Sequence, residues 1–122
     1  MDRIRTFQDL TVWRKSHQLV LDVYRASRKF PSEEQFALTS QLRRAVVSIT
    51  SNIAEGFCRQ TKRDKINFYH ISLGSCAEVQ NQIIIARDLE YLDTDHYASI
   101  FDLSVEVHKM LNALIKSLRT EN

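Results

Sequence analysis

Glycine and proline are scarce in this sequence, with two of the former and one of the latter among 122 residues. A β-rich domain of this length would need more turn residues, so a few long helices are expected. Cysteine is equally scarce. Cys58 and Cys76 have no second pair beside them, which excludes a disulfide framework or a four-cysteine zinc site and points to reduced thiols in a cytoplasmic protein. No charged-then-apolar leader is visible. The longest apolar run, Ile83-Ile84-Ile85-Ala86, falls far short of the roughly 18 residues a membrane span requires. Neither secretion nor membrane insertion is expected.

What is present suits one helical domain. A hydrophobic fraction of 43% supplies a single core, assigned to residues 7–119, with loose tails at 1–6 and 120–122. The formal charge of +2 conceals an asymmetry, because residues 1–65 hold 13 basic and 7 acidic side chains, and the remainder 4 and 8.

Four helices can be read from apolar spacing. The first carries Leu10, Trp13, Val20, Val23 and Tyr24 and ends before Phe30-Pro31, since a residue preceding proline is pushed out of the α region. Ser32-Glu33-Glu34-Gln35 reads as a capping box for the second. Its seam is Leu42, Val46, Ile49 and Ile53, and Gly56 is expected to stop it in a left-handed conformation. Thr61-Lys62-Arg63-Asp64 caps the third, which is expected to reach Leu92, and Thr94-Asp95 caps the fourth. Short connections force antiparallel neighbours, hence an all-α, up-down-up-down four-helix bundle. In that topology Arg3, Arg5, Arg59, Lys62, Arg63, Lys65, Lys116 and Arg119 gather at one end, and Glu33, Glu34, Asp88, Glu90, Asp93 and Asp95 at the other.

Enzymatic chemistry finds little support. A carboxylate-bridged di-iron bundle needs Glu-x-x-His on two helices, and the nearest approach, Asp93-x-x-His96, falls at a turn. His17, His70, His96 and His108 share no ligand spacing, the two glycines cannot build a phosphate loop, and neither cysteine has a nucleophile's context. No catalytic residue, metal or cofactor is expected.

Two features suggest contacts instead. Gln41, Arg44, Ser48, Asn52 and Glu55 recur at steps of three and four beside the seam of the second helix, so they share a face that is either solvated or an oligomer interface. If buried, Asn52 and Glu55 need partners, and Arg44 or a basic residue of another subunit is the candidate. The small residues Ser72, Gly74, Ser75 and Ala77 suggest close approach of another helix. The second feature is the basic cluster Arg59, Lys62, Arg63 and Lys65 at the start of the third helix, where free N–H groups and the helix dipole favour phosphate.

Several segments resemble a known family. Phe7-Gln8-Asp9-Leu10-Thr11-Val12-Trp13, Gln41-Leu42-Arg43-Arg44-Ala45, the stretch from Ser48 to Gly56 containing Asn52-Ile53-Ala54-Glu55, Arg59, and Gly74-Ser75 with Glu78 are similar to bacterial four-helix-bundle proteins. These are encoded in intervening sequences of large-subunit ribosomal RNA genes and called ribosomal-protein-like. They in turn resemble the accessory variability determinant of diversity-generating retroelements, a basic pentameric bundle that binds nucleic acid and a reverse transcriptase. Ser16 and Ser72 depart from the pattern where alanine is expected, and the charge is lower than the retroelement proteins carry.

The resemblance implies a homopentamer with a non-enzymatic role near RNA or DNA, structured RNA being preferred. The residues assigned to phosphate contact are Arg43, Arg44, Arg59, Lys62, Arg63 and Lys65. The competing reading is an assembly adaptor for a protein partner such as a reverse transcriptase.

Overall fold

The computed structural model describes residues 3–120, which form four helices: α1 (Thr11–Ser27), α2 (Leu38–Phe57), α3 (Lys62–Asp88) and α4 (Thr94–Thr120). Single 3-10 turns at Phe7–Asp9 and Ser32–Glu34 precede α1 and α2. Among the described residues no strand is present. The expected all-α bundle is what forms, and its antiparallel order can be read from side-chain bonds. The Ser75 hydroxyl donates to Ser48 Oγ at 2.8 Å and Ser72 to the Ile49 carbonyl at 2.9 Å, so numbers fall along α2 as they rise along α3. Cys76 Sγ donates to the Ser104 carbonyl at 3.2 Å, and Lys15 pairs with Glu106 at 3.2 Å. Each helix packs on two neighbours and none across the diagonal.

The core follows one buried seam per helix. On α1 it is Val12, Ser16, Leu19, Val23 and Ser27; on α2 it includes Leu42, Val46, Ile49 and Ile53. On α3 it runs Tyr69, Ser72, Cys76, Val79, Ile83 and Ala86; on α4, Ile100, Ser104, Val107, Leu111 and Ile115. Steps of three and four keep each set on one face, the packing pattern of near-parallel helices. Ser16, Ser72 and Ser104 are fully buried rather than surface-polar. Their hydroxyls donate to the carbonyls of Val12, Ile49 and Phe101, which removes the penalty of an unpaired buried donor.

Several local expectations need correction. Ser32–Glu34 forms a 3-10 turn, and Ala37 lies outside helical geometry at φ −125°, ψ −108°, so α2 begins only at Leu38. Glu34 is committed twice: Oε1 accepts from the Leu38 N–H at 3.3 Å and Oε2 from the Tyr91 hydroxyl at 2.9 Å. Gly56 is not a left-handed stop; it lies inside α2 with negative φ.

Helix α3 stops at Asp88, short of Leu92, because Glu90 takes φ 64°. The Tyr91 N–H then bonds to the Ala86 carbonyl and the Glu90 N–H to that of Arg87, both at 2.9 Å, a Schellman closure. The cap of α4 falls one residue early, on Asp93, whose Oδ1 accepts from the His96 N–H at 2.8 Å. Of the expected tails, residues 1, 2, 121 and 122 lie outside the described residues. The Arg5 and Thr6 N–H groups donate to Asp9 Oδ2, and these bonds hold its carboxyl below the usual range.

Candidate nucleic-acid interface

A four-residue turn, 58–61, separates α2 from α3, and the Thr61 hydroxyl caps α3 by accepting from the Asp64 N–H at 3.1 Å. Lys65 folds back over this turn. Its ammonium donates to the Phe57 carbonyl at 2.6 Å and to that of Gly56 at 3.4 Å, closing the negative end of α2. Arg59 is also held: Nη2 lies 3.0 Å from Glu55 Oε2, and the guanidinium sits 4.6 Å from the Phe68 ring centroid. Lys62 and Arg63 are exposed on the first turn of α3. Arg63 has no ion-pair or hydrogen-bond partner among the described residues. From α4, Arg119 Nη2 lies 3.1 Å from His70 Nε2, which brings the end of α4 beside the first half of α3.

The six expected phosphate contacts do not form one surface. Arg43 turns onto α1, where Nε donates to Ser27 Oγ at 2.8 Å and the guanidinium lies 4.7 Å from the Tyr24 ring centroid. Its charge closes the end of α1, so it is withdrawn from the basic cluster. Arg44 is exposed but stands fifteen positions before Arg59, roughly 20 Å along α2 at 1.5 Å per residue. Arg59, Lys62, Arg63 and Lys65 do share the α2–α3 turn. Arg119 belongs with them through His70, a neighbour visible from sequence only once the helices are paired.

The polar stripe of α2 divides similarly. Gln41, Arg44 and Ser48 line a groove of about 470 Å³ with Ser75, Glu78 and Gln82 of α3. Asn52 is satisfied locally, donating to the Ser48 carbonyl at 2.8 Å and to Ser48 Oγ at 3.0 Å. Glu55 takes Arg59 as its partner, not Arg44. The small residues act unevenly: Ser72 and Ser75 face α2, whereas Gly74 has nothing within 4 Å of its notional Cβ, so it makes no helix crossing.

Among the described residues no three His, Cys, Asp or Glu side chains are grouped to hold a metal ion, and no helix is long and apolar enough to cross a membrane. Burial pushes the Cys76 thiol up to about 11, leaving almost no thiolate near neutral pH. Cys58 is exposed. Native protein treated with iodoacetamide at pH 7.5 is therefore expected to take one carbamidomethyl group, at Cys58, with Cys76 modified only after denaturation. Peptide mass mapping checks this, and prompt native labelling of Cys76 would contradict its burial.

Comparison with known proteins supports the same architecture. No curated protein matches the chain. A crystal structure of a protein of unknown function from the S23 ribosomal protein family of Bacteroides thetaiotaomicron superposes with a TM-score of 0.81 at 28% identity. The alignment covers 87% of this chain and 99% of that one. The family described as 23S rRNA-intervening sequence protein matches residues 8–113, nearly the whole bundle. The chain belongs to the 23S rRNA-intervening sequence protein family.

Proposed function

We propose that this protein is a non-enzymatic, cytoplasmic, homo-oligomeric bundle, a pentamer on the family resemblance, that grips the phosphates of structured RNA at the α2–α3 turn. The observation that carries this reading is the exposed pair Lys62 and Arg63 on the first turn of a 27-residue helix, beside a guanidinium seated on Phe68. Free N–H groups and the positive end of the dipole reinforce both side chains toward an anion. RNA is preferred over DNA because the family is described by sequences intervening in 23S rRNA. Several copies would repeat the cluster around an axis, and phosphate affinity grows with the number of contacts.

The test is fluorescence anisotropy with a labelled ribosomal RNA hairpin over a salt series. Reversing both charges, Lys62→Glu with Arg63→Glu, is expected to weaken binding at least about tenfold and to reduce the salt slope by about two per protomer. Arg43→Gln should leave affinity unchanged. Absence of binding at low salt, or indifference to the double reversal, would overturn the reading.

A protein-partner adaptor is the second reading. Phe36, 89% exposed at the opposite end, favours it, and a partner such as a reverse transcriptase would cover that ring.

A further inference from the structure

Arg59 differs from the other cations of the α2–α3 turn in that its plane is fixed. The guanidinium sits 4.6 Å from the Phe68 ring centroid, and Nη2 is held 3.0 Å from Glu55 Oε2. Phe68 is half-buried on α3, so the ring is a firm seat. One face of the guanidinium lies on that ring, while 44% of the side chain stays exposed, which leaves the opposite face open. A flat cation already desolvated on one side is a platform for a second flat group. Three other cations rest on rings among the described residues, and none offers the same surface. Arg43 on Tyr24 is spent on Ser27, and Lys65 on Phe57 has no plane. Arg87 on Tyr97 is bonded to Asp88 at 2.9 Å, at the end that carries Glu90, Asp93 and Asp95, where a polyanion is repelled.

The surroundings of Arg59 decide what that second group is. The Glu55 carboxylate offsets its charge, and Asp64, one turn before Phe68 on the same face of α3, adds another negative group. A phosphate oxygen is poorly received between two carboxylates, whereas an uncharged aromatic ring is not. The phosphate has its own seat on the same turn. Arg63 has no ion-pair or hydrogen-bond partner among the described residues, and Lys62 is exposed beside it at the N–H end of α3. A platform for a flat neutral ring next to a cradle for an anion matches the two halves of one nucleotide. Bases inside a paired stem are covered above and below by their neighbours. Only an unpaired base has a face free to stack on a guanidinium plane.

We infer that the α2–α3 turn takes an unpaired nucleotide of RNA, its base stacked on the outer face of Arg59 and its phosphate held by Lys62 and Arg63. The inference rests on the RNA-binding part of the proposed function and narrows it. The ligand class becomes a stem interrupted by a bulged or looped nucleotide, not an unbroken duplex. Stacking tolerates any base, so no sequence preference is expected from Arg59. Phe68 and Glu55 are positioning residues, which keep the guanidinium flat and facing outward.

The experiment compares two RNA duplexes of equal charge on the full-length protein, by anisotropy at one low salt concentration. One duplex bulges a single adenosine, and the other an abasic nucleotide at the same place. Wild type is expected to bind the adenosine bulge at least about fivefold more tightly than the abasic one. Arg59→Lys keeps the charge and loses the plane, so it should bring the two ligands level while leaving the abasic affinity within about twofold. Arg59 is exposed, so folding is expected to survive, and circular dichroism verifies equal helix content. Reversing Lys62 and Arg63 together should weaken both ligands by the same factor. A wild type that binds both RNAs alike would overturn the stacked base and leave the phosphate contacts standing. An Arg59→Lys protein that keeps the wild-type preference, or loses both ligands equally, would also overturn it. Binding of neither RNA would overturn the proposed function itself.

Discussion

Replacing Leu111 by alanine should lower the unfolding free energy by about 2–5 kcal/mol. Leu111 is fully buried on the inner face of α4, one turn from Val107 and one from Ile115, themselves almost fully buried. Truncation removes one methine and two methyl carbons from a close-packed interior whose rods are fixed by neighbours on two sides, so the walls cannot collapse into the space. Against a total of about 5–15 kcal/mol for a domain of this size, the loss is large. Urea unfolding followed by far-ultraviolet circular dichroism reads it directly, with Asn112→Ala, exposed on the same helix, expected to stay within about 0.5 kcal/mol. A cost below about 1 kcal/mol for Leu111→Ala would mean that α4 turns a different face to the core.

Gly56→Val is the second large effect, expected at about 3 kcal/mol, the upper part of the range for overfilled interiors. A Cβ on Gly56 would stand 2.7 Å from Tyr69 Cε1 and 3.0 Å from Phe68 Cβ. The tyrosine ring is 2% exposed and walled by the seam, so it has no room to swing aside, and the clash must be relieved by prising α3 away from α2. Gly74 is the internal contrast. It is exposed, mid-helix and free of neighbours, so Gly74→Ala should stabilise by up to about 1 kcal/mol. The midpoint of a thermal melt separates the two glycines, and a Gly56→Val protein melting with the wild type would refute the close approach.

These two glycines illustrate what was legible from sequence. The steps of Leu42, Val46, Ile49 and Ile53 revealed the inward face of α2, because burial imposes a period the residues themselves carry. Cys76 obeys the same logic, stepping with Ser72, Val79 and Ile83 along the inner face of α3. Gly56 stands out in the sequence, but glycine serves equally for a left-handed bend and for a close contact, and only the position of Tyr69 decides between them.

Side chains whose partners lie on another helix were the least readable. Arg43 and Lys65 look like free cations in a string of letters, yet one is spent on Tyr24 and Ser27 and the other on the carbonyls of Gly56 and Phe57. Ser16 and Ser72 stand where the family pattern has alanine, and nothing local shows that each is buried with its hydroxyl bonded to a main-chain oxygen. Gln82 gives no local signal that its amide oxygen is buried without a partner.

The absence of diagonal packing has a kinetic corollary. Three of the four helix interfaces join segments consecutive along the chain, linked by short reversals, so ordering each one closes only a small loop. Bringing α1 against α4 is the single step that spans almost the whole polypeptide. A topology dominated by such near-neighbour contacts belongs to the rapid folders, reaching its native state in roughly microseconds to milliseconds. It leaves little time for half-assembled apolar surfaces to meet in a crowded cell.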